Sequence, residues 1–153
     1  MESNDPGHLK LDMKVWCDDG YTSYGVGTVR HIGSPPDHTE HLIGVELEEA
    51  TGMNNGSLYG TEYFRCNMKY GIFLKPSQVK PLYRSVVKEY ASNGFGFVRQ
   101  DDGVDVYFHV TDVAYEPDTI CVGQRVEHTR KTRWNTKKGE LNDVAENMRL
   151  LPP

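Results

Sequence analysis

The sequence predicts an all-β chain, built as two small β-barrel modules in tandem, on three observations. Fifteen glycines and eight prolines punctuate short runs rich in Val, Ile, Tyr and Phe. Stretches with the sustained apolar spacing of an amphipathic helix are hard to find, whereas rings stand at every second position in "GFGFV" and "DVYFHV". Around "KPSQVKPLYRSVVKEY" one strand-like run ends at Pro81-Leu82 and another begins, which divides the chain in two. The expected division is a flexible N-terminal segment over 1–12, a first module over 13–82 and a second over 83–153. At 153 residues and 37% hydrophobic, the chain can bury a core in one domain or in two small ones.

Composition removes several classes. Cys17, Cys66 and Cys121 are odd in number, far apart and never in a Cys-x-x-Cys pair, so neither a disulfide framework nor a zinc site is expected. Cys66 and Cys121 lie in apolar runs and read as packing residues. No apolar run approaches a membrane helix, and "MESNDPGHLK" lacks the basic-then-apolar pattern of a secretory signal, so the expected compartment is the cytoplasm, with no membrane partner.

In the first module "GVGTVRHIG", "LIGVELEEATGMNNGSLYG", "EYFRC" and "YGIFLKPSQV" follow one another as short apolar strands edged by Gly or Asn. In "TGMNNG" two glycines bracket Asn54 and Asn55, residues that tolerate left-handed backbone. This reads as a tight exposed loop whose amides face a ligand, an anionic group being one candidate.

The second module centres on "GFGFVRQDDGVDVYFHV". A turn about Asp102, with Gly103 supplying positive φ, sets Phe97 opposite Tyr107, Phe95 opposite His109 and Arg99 opposite Asp105 on one face. The other face carries Val98, Val104 or Val106, Phe108 and Val110 beside Gly96, a set suited to a barrel interior. The first face mixes rings with charge, which is costly to bury, so the rings are expected to meet solvent and to stack on unpaired bases. Downstream, "RVEHTRKTRWNTKK" (125–138) gathers six basic residues, one acid and Trp134. Its Lys131, Arg133 and Trp134 join Arg99 as candidate nucleic-acid contacts, the plain alternative being a solvated hairpin.

These residues resemble a known family. "GFGFV", "DVYFHV" and "GQRVEH" (123–128) look like the two RNP-type motifs and fourth strand of a cold-shock domain, an OB-fold barrel, over roughly 83–152. The resemblance implies binding of single-stranded RNA or DNA, with Phe95, Phe97, Tyr107 and His109 at stacking positions. Lys88 or Glu89 stands where the family has a stacking tryptophan, Val110 where a phenylalanine is common, and Tyr115 near another family aromatic. The first half, about 13–82, resembles a CAP-Gly domain, a peptide-binding module. "GMNNG" takes the place of that family's Gly-Lys-Asn-Asp-Gly loop, so the implied peptide-binding positions are Gly52, Met53, Asn54, Asn55, Gly56, Phe73 and Lys75. Met53 replaces the family lysine, Leu42 its tryptophan, and Asp37 falls near a frequent phenylalanine. Residues 1–82 also hold 7 Lys+Arg against 11 Asp+Glu, which argues against an acidic tubulin-type tail and for a less acidic extended peptide. A vacant groove, or one used for contact with a second copy of this chain as a homo-oligomer, stays open.

Catalysis is not expected. His38 and His41 in "HTEH" have a spacing that suits a helix, but the flanking "SPPD" makes a loop; no phosphate loop or Gly-x-Ser-x-Gly elbow occurs. No cofactor and no metal are expected. Two functions stay open: an adaptor holding RNA through 83–152 and a protein segment through 13–82, or a pure protein-protein interaction scaffold in which both modules bind polypeptide and nucleic-acid binding is lost. The four-ring strip favours the first. The altered first strand and the net charge of -5 favour the second.

Overall fold

The computed structural model describes residues 6–35, 39–113, 115 and 119–151. They form two compact units that divide between Pro81 and Leu82. In the first unit β1 (Lys14–Asp18), β2 (Ser23–Gly33), β3 (Leu42–Leu47), β6 (Gly71–Leu74) and β7 (Val79–Pro81) hydrogen-bond in the order β6-β3-β2-β1-β7, leaving this sheet open; β4 (Ser57–Leu58) and β5 (Thr61–Glu62) pair separately. Val15 and Cys17 on β1 and Ile43, Val45 and Leu47 on β3 alternate inward, the period that buries one face of a strand. They meet Val29, Ile72, Leu74 and Val79 in one core. Burial pushes the Cys17 thiol up to about 12.

Of the N-terminal segment expected over 1–12, residues 1–5 lie outside the described residues. From Pro6 onward it is tied down: Leu9 is buried in the first core and His8 Nε2 lies 3.1 Å from the Val79 carbonyl. A single leucine with an apolar slot to fill outweighs the polar residues around it.

The second unit is a closed barrel in the order β10-β12-β11-β8-β9, built from β8 (Tyr83–Tyr90), β9 (Phe95–Gln100), β10 (Asp105–His109), β11 (Arg125–Asn135) and β12 (Glu140–Leu150). A parallel contact, Tyr107 against Val144, closes the ring. Its core holds Val87, Val98, Val106, Phe108, Ile120, Val126, Ala145 and Met148. The β9–β10 hairpin has the expected register, with Arg99, Phe97 and Phe95 opposite Asp105, Tyr107 and His109. Its turn is held by Asp102, whose Oδ1 accepts the Val104 N–H at 3.0 Å, and by Gly103 at φ 88°. Of the two valines offered for the interior, Val106 is buried and Val104 is exposed. Cys121 is exposed, not packed, because its run ends in the turn before Gly123. Among the described residues no helix is long and apolar enough to cross a membrane.

Candidate nucleic-acid interface and peptide groove

Alternation on β9 and β10 sends Val98, Val106 and Phe108 inward, so Phe95, Phe97, Tyr107 and His109 stand on the outer face. Phe95 is 50% exposed and Tyr107 36%. The rings pair across the strands: Phe97 and Tyr107 have centroids 4.2 Å apart at 34°, Phe95 and His109 4.7 Å apart at 62°. In each pair one ring, Phe95 or Tyr107, keeps exposed surface that a flat ligand can meet. The His109 imidazole is oriented by Thr111, whose N–H and hydroxyl both lie within hydrogen-bond distance of Nδ1.

The neighbouring strands extend this face. A bulge between Val87 and Glu89 on β8 decides which residue takes the third position in the ring row: Glu89 pairs with Phe97, while Lys88 is displaced by the bulge. The row therefore runs Glu89, Phe97, Tyr107, Val144, Lys131. A groove of about 650 Å3 continues from Phe95, Tyr107 and His109 to Arg133, Trp134 and Lys137, with Trp134 61% exposed. Tyr115 is not part of the strip; it packs against the barrel core and its hydroxyl donates to Gln124. Val110 likewise packs against the core.

The basic segment is less free than its sequence indicates. Arg130 pairs with Asp143, Lys131 with Glu146 at 3.2 Å, and Arg133 lies 3.8 Å from Asp112 and 3.9 Å from Glu146. Arg99 makes a two-point pair with Asp105, at 2.8 and 3.2 Å, which holds that carboxyl below its ordinary range. The acids that neutralise β11 sit mostly on its partner β12, eight or more residues downstream, where a reading of the basic run alone does not find them.

In the first unit the "TGMNNG" loop is built differently from the expected amide cradle. Gly52 N–H donates to the Lys69 carbonyl at 2.7 Å, and Met53 and Asn54 N–H both donate to that of Gly71. Gly56 N–H goes to Asn54 Oδ1 at 3.0 Å and Ser57 N–H to Asn55 Oδ1 at 3.3 Å. These amides serve the fold, and the glycines allow chain crossings: a Cβ on Gly56 would lie 2.1 Å from the Phe64 carbonyl oxygen. Met53 projects from this loop, 74% exposed.

Beside the loop lies a ring cluster that sequence reasoning reached only through Phe73. "EYFRC" is not a strand beyond Glu62; its bends set Tyr63 and Phe64 against Phe73, with centroids 5.6 and 5.7 Å away. His31 joins them, 4.6 Å from Tyr63, over Gly44, where a Cβ would meet Phe64 at 2.7 Å. Two adjacent rings after a turn-rich loop were the available signal. Burial pushes the His31 pKa down. His31 Nε2 and the Tyr63 hydroxyl are buried without a hydrogen-bond partner among the described residues. Lys75 is exposed just beyond β6, and Leu42 begins β3. Asp37 and His38 lie outside the described residues. Among the described residues no three metal-ligating side chains gather.

The fold is that of two all-β modules in tandem. Residues 12–79 match the CAP-Gly domain and residues 83–147 the "Cold-shock" DNA-binding domain, so the chain is a CAP-Gly domain followed by a cold-shock domain. It is 44% identical over 74 residues to the kinesin-like protein KIF13B of Homo sapiens, covering 45% of this chain and 4% of that protein. It is 43% identical over 68 residues to tubulin-specific chaperone B of Dictyostelium discoideum, covering 43% of this chain and 25% of that protein. The solution structure of the CAP-Gly domain in human kinesin-like protein KIF13B is 33% identical with a TM-score of 0.46, covering 53% of this chain and 78% of that one. The chain thus spans a quarter or less of the length of these two curated relatives.

Proposed function

We propose that this protein is a non-catalytic adaptor that holds single-stranded nucleic acid, RNA first, on its cold-shock domain and an extended protein segment on its CAP-Gly domain. The observation that carries the reading is the outward face bearing Phe95, Phe97, Tyr107 and His109, continued by a groove to Trp134. Unpaired bases stack on such rings; a duplex hides its base faces and fits poorly. For the CAP-Gly domain, the ring cluster of Tyr63, Phe64 and Phe73 together with the exposed Met53 favours an extended segment that brings apolar side chains to an aromatic surface. A relative is named for tubulin, which supports a protein partner here. Met53 in the loop and the acidic balance of this half favour a partner less acidic than a tubulin-type tail.

The test is fluorescence anisotropy of the full chain with labelled oligo-U and a mixed single strand at low and physiological salt. Phe97→Ala with Tyr107→Ala removes two stacking partners and should cost about 2–6 kcal/mol of binding. The second reading, a scaffold binding only polypeptide, draws on the neutralised basic strand, where Asp143 and Glu146 occupy Arg130 and Lys131. No measurable binding of any oligonucleotide by the parent protein would decide for that scaffold.

A further inference from the structure

We infer that Glu89 makes this strip selective for guanine at the base stacked on Phe97; the inference rests on the single-strand reading above. The β8 bulge places Glu89 directly beside Phe97 in the ring row. Glu89, Asn93, Phe95, Phe97 and Tyr107 line one groove of about 320 Å3, so a carboxylate and a carboxamide share the rim of a surface made of rings. The other acids bordering this face are held: Asp105 by Arg99, Asp143 by Arg130, Glu146 by Lys131. The Glu89 carboxylate is exposed and makes no ion pair or hydrogen bond among the described residues.

An ionised carboxylate only accepts hydrogen bonds, and its two parallel oxygens suit two adjacent donors. Guanine alone among the four bases carries two adjacent donors, N1–H and N2–H, on its Watson–Crick edge. Adenine and cytosine set one amino group next to an accepting nitrogen, and uracil sets one N–H between two carbonyls that repel the carboxylate. Single-stranded recognition reads that edge while the base face stacks. Asn93 reinforces the choice: its Oδ1 accepts the Phe95 N–H at 3.3 Å, which leaves its amide hydrogens for the guanine O6. A carboxylate in a phosphate-binding face also lowers affinity for every strand, so Glu89 exchanges general affinity for choice of base.

The full-length protein is titrated by anisotropy with a seven-nucleotide oligo-U and with the same strand carrying guanine, inosine or adenine at its centre. The guanine strand should bind about tenfold more tightly than oligo-U, with inosine, which lacks N2–H, between them. In Glu89→Gln the guanine advantage should fall below about twofold while oligo-U binding tightens, because a negative charge is gone. Equal affinities for the four strands, an inosine strand equal to guanine, or an undiminished guanine advantage in Glu89→Gln would each overturn the selectivity and leave strand binding standing. Absence of binding by every strand overturns both. The inosine comparison probes the contact without altering the protein, so the outcome does not hang on how the variant folds.

Discussion

At the scale of single residues, Gly96 shows how one position serves core and surface together. A Cβ there would lie 2.4 Å from the Glu89 carbonyl oxygen and 2.5 Å from Phe108 Cζ, so glycine lets the inward ring close against β9 while β8 keeps its bulge. Gly96→Ala should therefore cost about 1–3 kcal/mol in urea unfolding, through overpacking. Gly103→Ala meets no atom within 4 Å, but its φ is 88°, and should cost about 1–2 kcal/mol through the backbone alone. An alanine that costs nothing at either site would contradict this account. Glu89 is the residue the sequence left undecided: Lys88 and Glu89 were equal candidates, because a bulge shifts register by one and its place is set by cross-strand packing.

At the scale of elements, the β9–β10 hairpin was legible throughout. Its register follows from a turn signal and a period of two, both local, and the structure has the same pairs. The β11–β12 hairpin was only half legible. Its basic strand is visible in sequence, yet the acids that pair with it arrive by antiparallel return, which aligns Thr132 with Asp143 and Lys131 with Val144. Ion pairs at Arg130, Lys131 and Arg133 leave few cations to displace counterions. The slope of log affinity against log salt for a single strand should accordingly be about -1.4 to -2.1, as for two or three phosphate contacts. A slope near -4, the value for all six basic residues of this segment acting on phosphates, would show that nucleic acid breaks these pairs.

At the scale of the whole molecule, each unit holds one histidine that desolvation disfavours in its charged form, His128 fully buried and His31 half-buried. In the second, His128 Nδ1–H donates to the Thr129 carbonyl at 3.0 Å and Nε2 accepts from the Ser85 hydroxyl at 2.7 Å; in the first, His31 sits in the ring cluster. Burial, first among the causes, lowers both pKa values below the ordinary histidine value of about 6.5. The unfolded chain then binds these protons first, so the contribution is full above about pH 6.5 and declines as pH falls toward the folded-state values. Melting temperature should fall between pH 7 and 5, before the depressed carboxylates of Asp19, Asp102, Asp105 and Asp143 begin to protonate. A His128 ring proton signal titrating at or above pH 6.5 would contradict this. By itself the sequence determined the all-β class, the two modules and the outward ring strip, because alternation and turn chemistry are written within a few residues. Only the tertiary structure decided that the Gly52, Met53, Asn54 and Gly56 amides are spent internally, that Tyr63 and His31 join Phe73, and that Glu89 borders Phe97. Those outcomes depend on which distant strands meet and which polar groups find partners there, and contacts of that range carry no local signature.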